Sequence, residues 1–137
     1  MSFRYEIRLS GAGGQGLILI GKILAEAAAI YDEKNATQSQ SYGPEARGGA
    51  SRSEVIISDG DIDYPKATNL DLLLAMTQEA INRYSGDVKS GGIIITDESY
   101  VRKIPEGDFK VYSFPITNIA EEKIGKSTLT DLQEGKK

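Results

Sequence analysis

The stretch SGAGGQG at residues 10–16 constrains the fold of this chain more than any other. Ahead of it, Tyr5, Ile7 and Leu9 alternate with Glu6 and Arg8, the period-two pattern of a strand with one apolar face. Behind it, in LILIGKILAEAAAIYDE, the residues Ile20, Ile23, Leu24, Ala27, Ala28 and Tyr31 recur at helical spacing. Strand, glycine turn and helix in that order open a βαβ unit. Gly11, Gly13 and Gly16 satisfy the G-x-G-x-x-G spacing in the context that motif requires. Glycines permit a tight turn and close approach of a ligand, while N–H groups exposed at a helix start favour an anion.

A nicotinamide dinucleotide would also need an acidic residue about 20 positions further on, at the end of the second strand, to bind the ribose. That region reads Thr37, Gln38, Ser39, Gln40, and Asp32 and Glu33 fall too early, at the end of the helix. The glycines equally suit tight packing of the turn. The pair Gly14 and Gln15 suits hydrogen bonding across an interface as well as to a phosphate.

Further along, Asn35 to Gln38 reads as a short second strand, and the segment through Arg52 reads as a long loop without periodicity. Such a loop inside a small domain is usually functional. SEVIIS at 53–58 is the next strand, and DGDIDYP a turn with a short returning segment. The Asp59-Gly60 pair is a hairpin signal, which makes part of the sheet antiparallel. LDLLLAM at 70–76 is apolar but for Asp71, as expected of a central strand covered on both faces. Thr77 caps a helix through Tyr84, with Glu79 in its first turn. Ile93 to Ile95 and Lys110 to Phe114 are further strands, and Asn118 with Glu121 has the capping-box pattern of a last clear helix. Thr130 to Gln133 repeats that pattern just before Gly135 and two lysines, as a short frayed turn or an interrupted helix. The alternation predicts a single three-layer α/β domain, a mostly parallel, mixed sheet with helices on both faces.

Charge narrows the function. The net charge is −4 and the pI near 4.9, which argues against nucleic acid because such binding needs a basic face. Against that acidic background SQSYGPEARGGASRSEV at 39–55 places Arg47 and Arg52 among Gly48, Gly49, Ala50 and serines. The pattern is that of a local anion site, or of solvated surface charge. The chain has no Cys and no His, which excludes disulfides, Cys-ligated clusters, structural zinc sites and the usual Ser-His or Cys-His pairs. No catalytic acid, base or nucleophile and no metal-ligand set emerges. No apolar run approaches the ~20 residues of a membrane span, and the N-terminus lacks a signal-peptide core, so the chain reads as cytoplasmic.

Two separated motifs, GAGGQGLILIGKILAEAA at 11–28 and SYGPEARGGASRSEVIIS at 41–58, together resemble the gamma subunit of 2-oxoacid:ferredoxin oxidoreductases. DIDYPKATNLDLLLAMTQEA and GGIIITDE fit the same pattern, so the resemblance covers nearly the whole chain. It implies the fold of the pyruvate:ferredoxin oxidoreductase gamma domain and assembly with alpha, beta and delta-type subunits. Thiamine diphosphate and iron–sulfur clusters would lie in those partners. The complex would convert a 2-oxoacid and coenzyme A to an acyl-CoA and carbon dioxide, reducing ferredoxin. The form of residues 45–53 is similar to the 2-oxoglutarate and branched-chain enzymes, and 2-oxoglutarate is the favoured substrate; pyruvate enzymes tend to show a doubled arginine and a proline there. Gamma subunits usually continue into a further helical segment, so residues 1–137 read as one domain lacking that segment. Residues Gly11, Gly13, Gly14, Gln15 and Gly16, with Arg47, Gly48, Gly49, Ser51 and Arg52, form the expected cofactor-binding set. Within it the arginines would take coenzyme A phosphates, since planar guanidinium groups bind phosphate oxygens in pairs. In the competing role Tyr42, Pro44, Arg47 and Arg52 anchor into a partner subunit. The alternative from another class is a free-standing nucleotide-binding or regulatory domain.

Overall fold

A computed structural model describes residues 3–12, 16–31, 34–41, 51–62 and 66–124. Its elements are β1 (Arg4–Gly11), α1 (Leu17–Tyr31), β2 (Asn35–Ser41), β3 (Ser51–Ser58), β4 (Leu70–Ala75), α2 (Gln78–Tyr84), β5 (Val88–Asp97), β6 (Phe109–Phe114) and α3 (Ile116–Ile124). A short 3-10 turn, Ser85–Asp87, joins α2 to β5. The strands form one sheet in the order β2-β3-β1-β4-β5-β6. β1, β4, β5 and β6 run parallel, and β3 is antiparallel to both β1 and β2. The predicted three-layer, mixed α/β architecture is therefore present.

Alternation along the strands sorts side chains onto two faces. Ile7 and Leu9 join Val55, Leu17 and Met76 in one apolar cluster, with Leu24 and Ala25 of α1 and Ile116 of α3 packed against it. On the other face Ile56, Leu73 and Ile94 pack with Ala80, Ile81 and Tyr84 of α2. Each such aliphatic side chain, fully buried, contributes about 1.5–3 kcal/mol of transfer free energy. Gly21 lets α1 lie close to the sheet: a Cβ there would come within 2.5 Å of Ser53 Oγ and 3.0 Å of Gln38 Nε2.

Four sequence expectations need correction. Asp59-Gly60 does not turn a hairpin, because β3 crosses past β1 to reach β4. That turn closes onto the start of β1 instead: the Phe3 N–H donates to Asp59 Oδ1 (3.0 Å), and the Asp59 N–H donates to the Phe3 carbonyl (3.2 Å). The antiparallel part of the sheet comes from β2 and β3, on either side of residues 42–50, and from β1 with β3. The expected loop is shorter at both ends, since β2 runs on through Ser41 and Ser51 and Arg52 belong to β3. In β4, Leu70, Leu73 and Ala75 are buried but Leu72 and Leu74 only half-buried, because α1 lies chiefly over β2 and β3. Lastly, α3 starts at Ile116, ahead of the expected cap Asn118. Asp97, 20 residues away, accepts the Thr117 N–H (3.0 Å) and the Thr117 hydroxyl (2.6 Å) and so supplies the cap from a distance.

Candidate anion and partner site

The register of β1 against β3 brings the two glycine-rich motifs side by side: Ser10 lies opposite Arg52, and Gly11 opposite Ser51. Here β1 leaves the sheet for α1. Gly16 has φ 76°, a conformation that favours glycine, and its carbonyl accepts the Ile20 N–H (3.0 Å) as the helix begins. Next door, the Met76 N–H donates to the Ser10 carbonyl (2.8 Å) and β4 leads into α2. Thr77 caps α2 as predicted, its hydroxyl accepting the Ala80 N–H at 3.1 Å.

The helices that follow these two neighbouring parallel strands pack on opposite faces, α1 against the Leu9 side and α2 against the Leu73 side. Adjacent strands whose connections diverge in this way leave a crevice at their carboxyl ends, where α/β domains bind ligands. Gly11 ends β1 at this point with Ser51 opposite it on β3, and Gly16 leads into α1. Gly13, Gly14, Gln15, Arg47, Gly48 and Gly49 lie outside the described residues.

The insertion of β3 between β1 and β2 bears on the dinucleotide alternative. A ribose-binding acid sits at the end of the strand beside β1. Here that neighbour runs the opposite way and presents Ser51 and Arg52.

Arg52 parts company with the turn at its side chain. Its guanidinium carbon stands 5.5 Å from the centroid of the Tyr84 ring, and its Nε is 3.9 Å from Glu54 Oε2. The side chain therefore lies on the α2 face, opposite α1.

On that face is a layer of charge the alternation of β1 did not reveal. Arg8, 4% exposed, donates from Nε to Glu54 Oε2 (2.8 Å), from Nη1 to Asp87 Oδ2 (2.5 Å) and from Nη2 to the Ala67 carbonyl (2.7 Å). It also sits 4.8 Å from the Tyr84 ring centroid. Glu6 Oε1 accepts the N–H groups of Thr68 and Asn69, both at 2.9 Å, and its Oε2 pairs with Arg4. Asp71 accepts the Glu6 N–H (2.8 Å) and pairs with Lys89, which raises the Lys89 pKa through that hydrogen bond and charge. Buried carboxylates thus pin the connector between β3 and β4 to the sheet. The sequence signal was present: opposite charges recur at alternate positions of facing strands, as with Arg8 and Glu54.

Asp97, fully buried at the end of β5, was also missed. Burial raises its pKa, but the bonds from Thr117 and from the Ser99 N–H (3.0 Å to Oδ1) outweigh that and hold it below the usual carboxylate value. An acid kept ionised in this way is a structural anion rather than a proton donor. Among the described residues no group of three or more Asp or Glu is placed to hold a metal, and no helix is long and apolar enough to cross a membrane.

The model of the pyruvate ferredoxin/flavodoxin oxidoreductase family matches residues 6–131. The 2-oxoglutarate synthase subunit KorC of Methanocaldococcus jannaschii is 55% identical over 126 residues, covering 90% of this chain and 67% of that protein. The ketoisovalerate oxidoreductase subunit VorA of Methanothermobacter marburgensis is 32% identical over 117 residues, 85% of this chain and 24% of that protein. Among solved structures, the gamma subunit of a keto/oxoacid ferredoxin oxidoreductase from Geobacter sulfurreducens superposes with a TM-score of 0.83 at 56% identity, covering 91% of this chain and 68% of that one.

Proposed function

This chain belongs to the pyruvate ferredoxin/flavodoxin oxidoreductase family, and on that premise we propose that it is the gamma subunit of a 2-oxoacid:ferredoxin oxidoreductase acting on 2-oxoglutarate. The observation that carries the substrate is the much closer likeness to a 2-oxoglutarate synthase subunit than to a ketoisovalerate one. The complex oxidatively decarboxylates the 2-oxoacid, transfers the acyl group to coenzyme A and passes the electrons to ferredoxin. A free-standing nucleotide-binding domain has no comparable support.

The residues of this chain do not fit an iron–sulfur cluster, since it offers neither Cys nor His. Clusters and thiamine diphosphate then belong to alpha, beta and delta-type partners in the cytoplasm, and they supply the electron transfer and the decarboxylation. The part left to this subunit is binding and orientation. The backbone of the turn Gly11, Gly13, Gly14, Gln15 and Gly16 faces the shared site, with the helix start favouring an anion. Arg47, Gly48, Gly49, Ser51 and Arg52 contact coenzyme A, and Tyr42 and Pro44 seat the same segment on a neighbouring subunit. The register that joins Gly11 to Ser51 supports treating both motifs as one surface.

Reconstitution tests this reading. Arg47→Ala in the assembled complex should raise the Michaelis constant for coenzyme A about tenfold, the size of a lost charge-assisted contact, with assembly intact on size exclusion. Loss of assembly instead would make the arginine an interface anchor. Preference for another 2-oxoacid in a substrate panel would overturn the 2-oxoglutarate assignment.

A further inference from the structure

Arg8 and Arg52 lie over the same tyrosine, but their donors are used differently. Arg8 is 4% exposed and its guanidinium is committed to Glu54, Asp87 and the Ala67 carbonyl. Arg52 keeps 32% of its side chain exposed, and among the described residues its one ionic contact is the 3.9 Å approach to Glu54. That distance is beyond a hydrogen bond, and the Glu54 oxygen concerned already accepts from Arg8 at 2.8 Å. The planar group is held in place by the Tyr84 ring, 5.5 Å away, while Tyr84 itself is 4% exposed and fixed in the core.

A guanidinium carries five donors in a rigid fork. When it is stacked on an aromatic face and backed by a carboxylate, it loses little conformational freedom on gripping a ligand. Arg52 is thus a pre-oriented cation whose donors are not committed to any of the described residues, one residue from the backbone pair that joins the two motifs.

We propose that Tyr84 and Glu54 are positioning residues that hold Arg52 ready to bind a phosphate group of coenzyme A. This deepens the coenzyme A contact proposed above for residues 47–52 and rests on it. The ring of Tyr84 is the platform. Its hydroxyl, buried and without a hydrogen-bond partner among the described residues, takes no part. Arg8 acts through Glu54, keeping that carboxylate from closing fully on Arg52.

Steady-state kinetics of the reconstituted complex distinguish the possibilities. Arg52→Lys keeps the charge but loses the planar fork; it should raise the Michaelis constant for coenzyme A about tenfold and leave kcat within about twofold. Tyr84→Leu should do the same through loss of the platform, and Tyr84→Phe should restore the wild-type value. A penalty that vanishes with 3′-dephospho-coenzyme A assigns the contact to the 3′-phosphate, one that persists assigns it to the diphosphate, and either supports the proposal. If Arg52→Lys raises the constant but a folded Tyr84→Leu does not, the platform is overturned and the coenzyme A contact stands. If Tyr84→Leu does not fold, Tyr84→Met takes its place: an elevated constant supports the platform and a wild-type constant overturns it. Wild-type constants with Arg52→Lys, Arg52→Ala and Arg47→Ala would overturn the contact and the platform together. So would loss of assembly as the sole effect of Arg52→Ala, which would make a carboxylate on a partner subunit the ligand of Arg52.

Discussion

The two faces of the sheet are built from the same strands and solve burial in opposite ways. Under α2, arginines and carboxylates of β1 and β3 are buried and paired, with Arg8 and Glu54 directly opposite each other. On the α1 side the sheet is mostly apolar but less completely covered, with Leu72 and Leu74 only half-buried, and α1 itself turns Leu19, Ile23 and Ile30 outward at 56%, 55% and 66% exposure. The polar-looking face is thus the sealed one, and the apolar face is the one left partly open. Alternation identifies which residues share a face, not which face meets water.

The largest effect expected from breaking this contrast is at Arg8. Arg8→Ala leaves the buried Glu54 without its close cation and removes the partner of the half-exposed Asp87, and should cost about 3–5 kcal/mol in urea unfolding. Replacing Arg8 and Glu54 together by apolar residues of similar volume should recover most of that loss. A double variant as unstable as Arg8→Ala would mean that packing around the arginine, rather than charge, seals this face.

Asp97 gives an intermediate effect with a definite pH dependence. Its pKa is lower folded than unfolded, so its stabilisation is present above the ordinary carboxylate pKa and lost as pH falls through the depressed value. Asp97→Asn should lower stability at neutral pH by about 1.5–3 kcal/mol, the range for hydrogen bonds to a charged group. It should also flatten the acid limb of the thermal midpoint against pH; an acid limb unchanged from wild type would locate that dependence elsewhere. The smallest effect belongs to the open face. Ile23→Ser removes a mostly exposed side chain and should change the stability of the isolated chain by less than about 0.5 kcal/mol. A loss above about 1 kcal/mol would show that α1 is held to the sheet through that stripe.

Local signals were read well. The β1-turn-α1 unit follows from spacing and glycines, α2 from its Thr77 cap, and the buried runs gave β4 and β5. What went unread depends on partners far along the chain. The start of α3 is set by Asp97, which no local capping pattern reveals. Asp59-Gly60 has turn chemistry but is used to tie β3 to Phe3. The placing of the Arg52 side chain involves Tyr84, 32 residues later, reaching the same face from α2. The candidate site was legible as two motifs; their meeting was not, because it depends on the antiparallel register of β1 and β3.

That register also limits how such a chain can vary over evolutionary time. Ser53, Val55 and Ile57 face one layer, and Arg52, Glu54 and Ile56 the other. Losing one residue anywhere between Ser51 and Ser58 would turn part of the strand over, setting carboxylate against the Leu9 cluster and apolar side chains among the arginines. A change of length within β3 therefore disturbs both faces at once, whereas one between β2 and β3 leaves the phase of the strand intact.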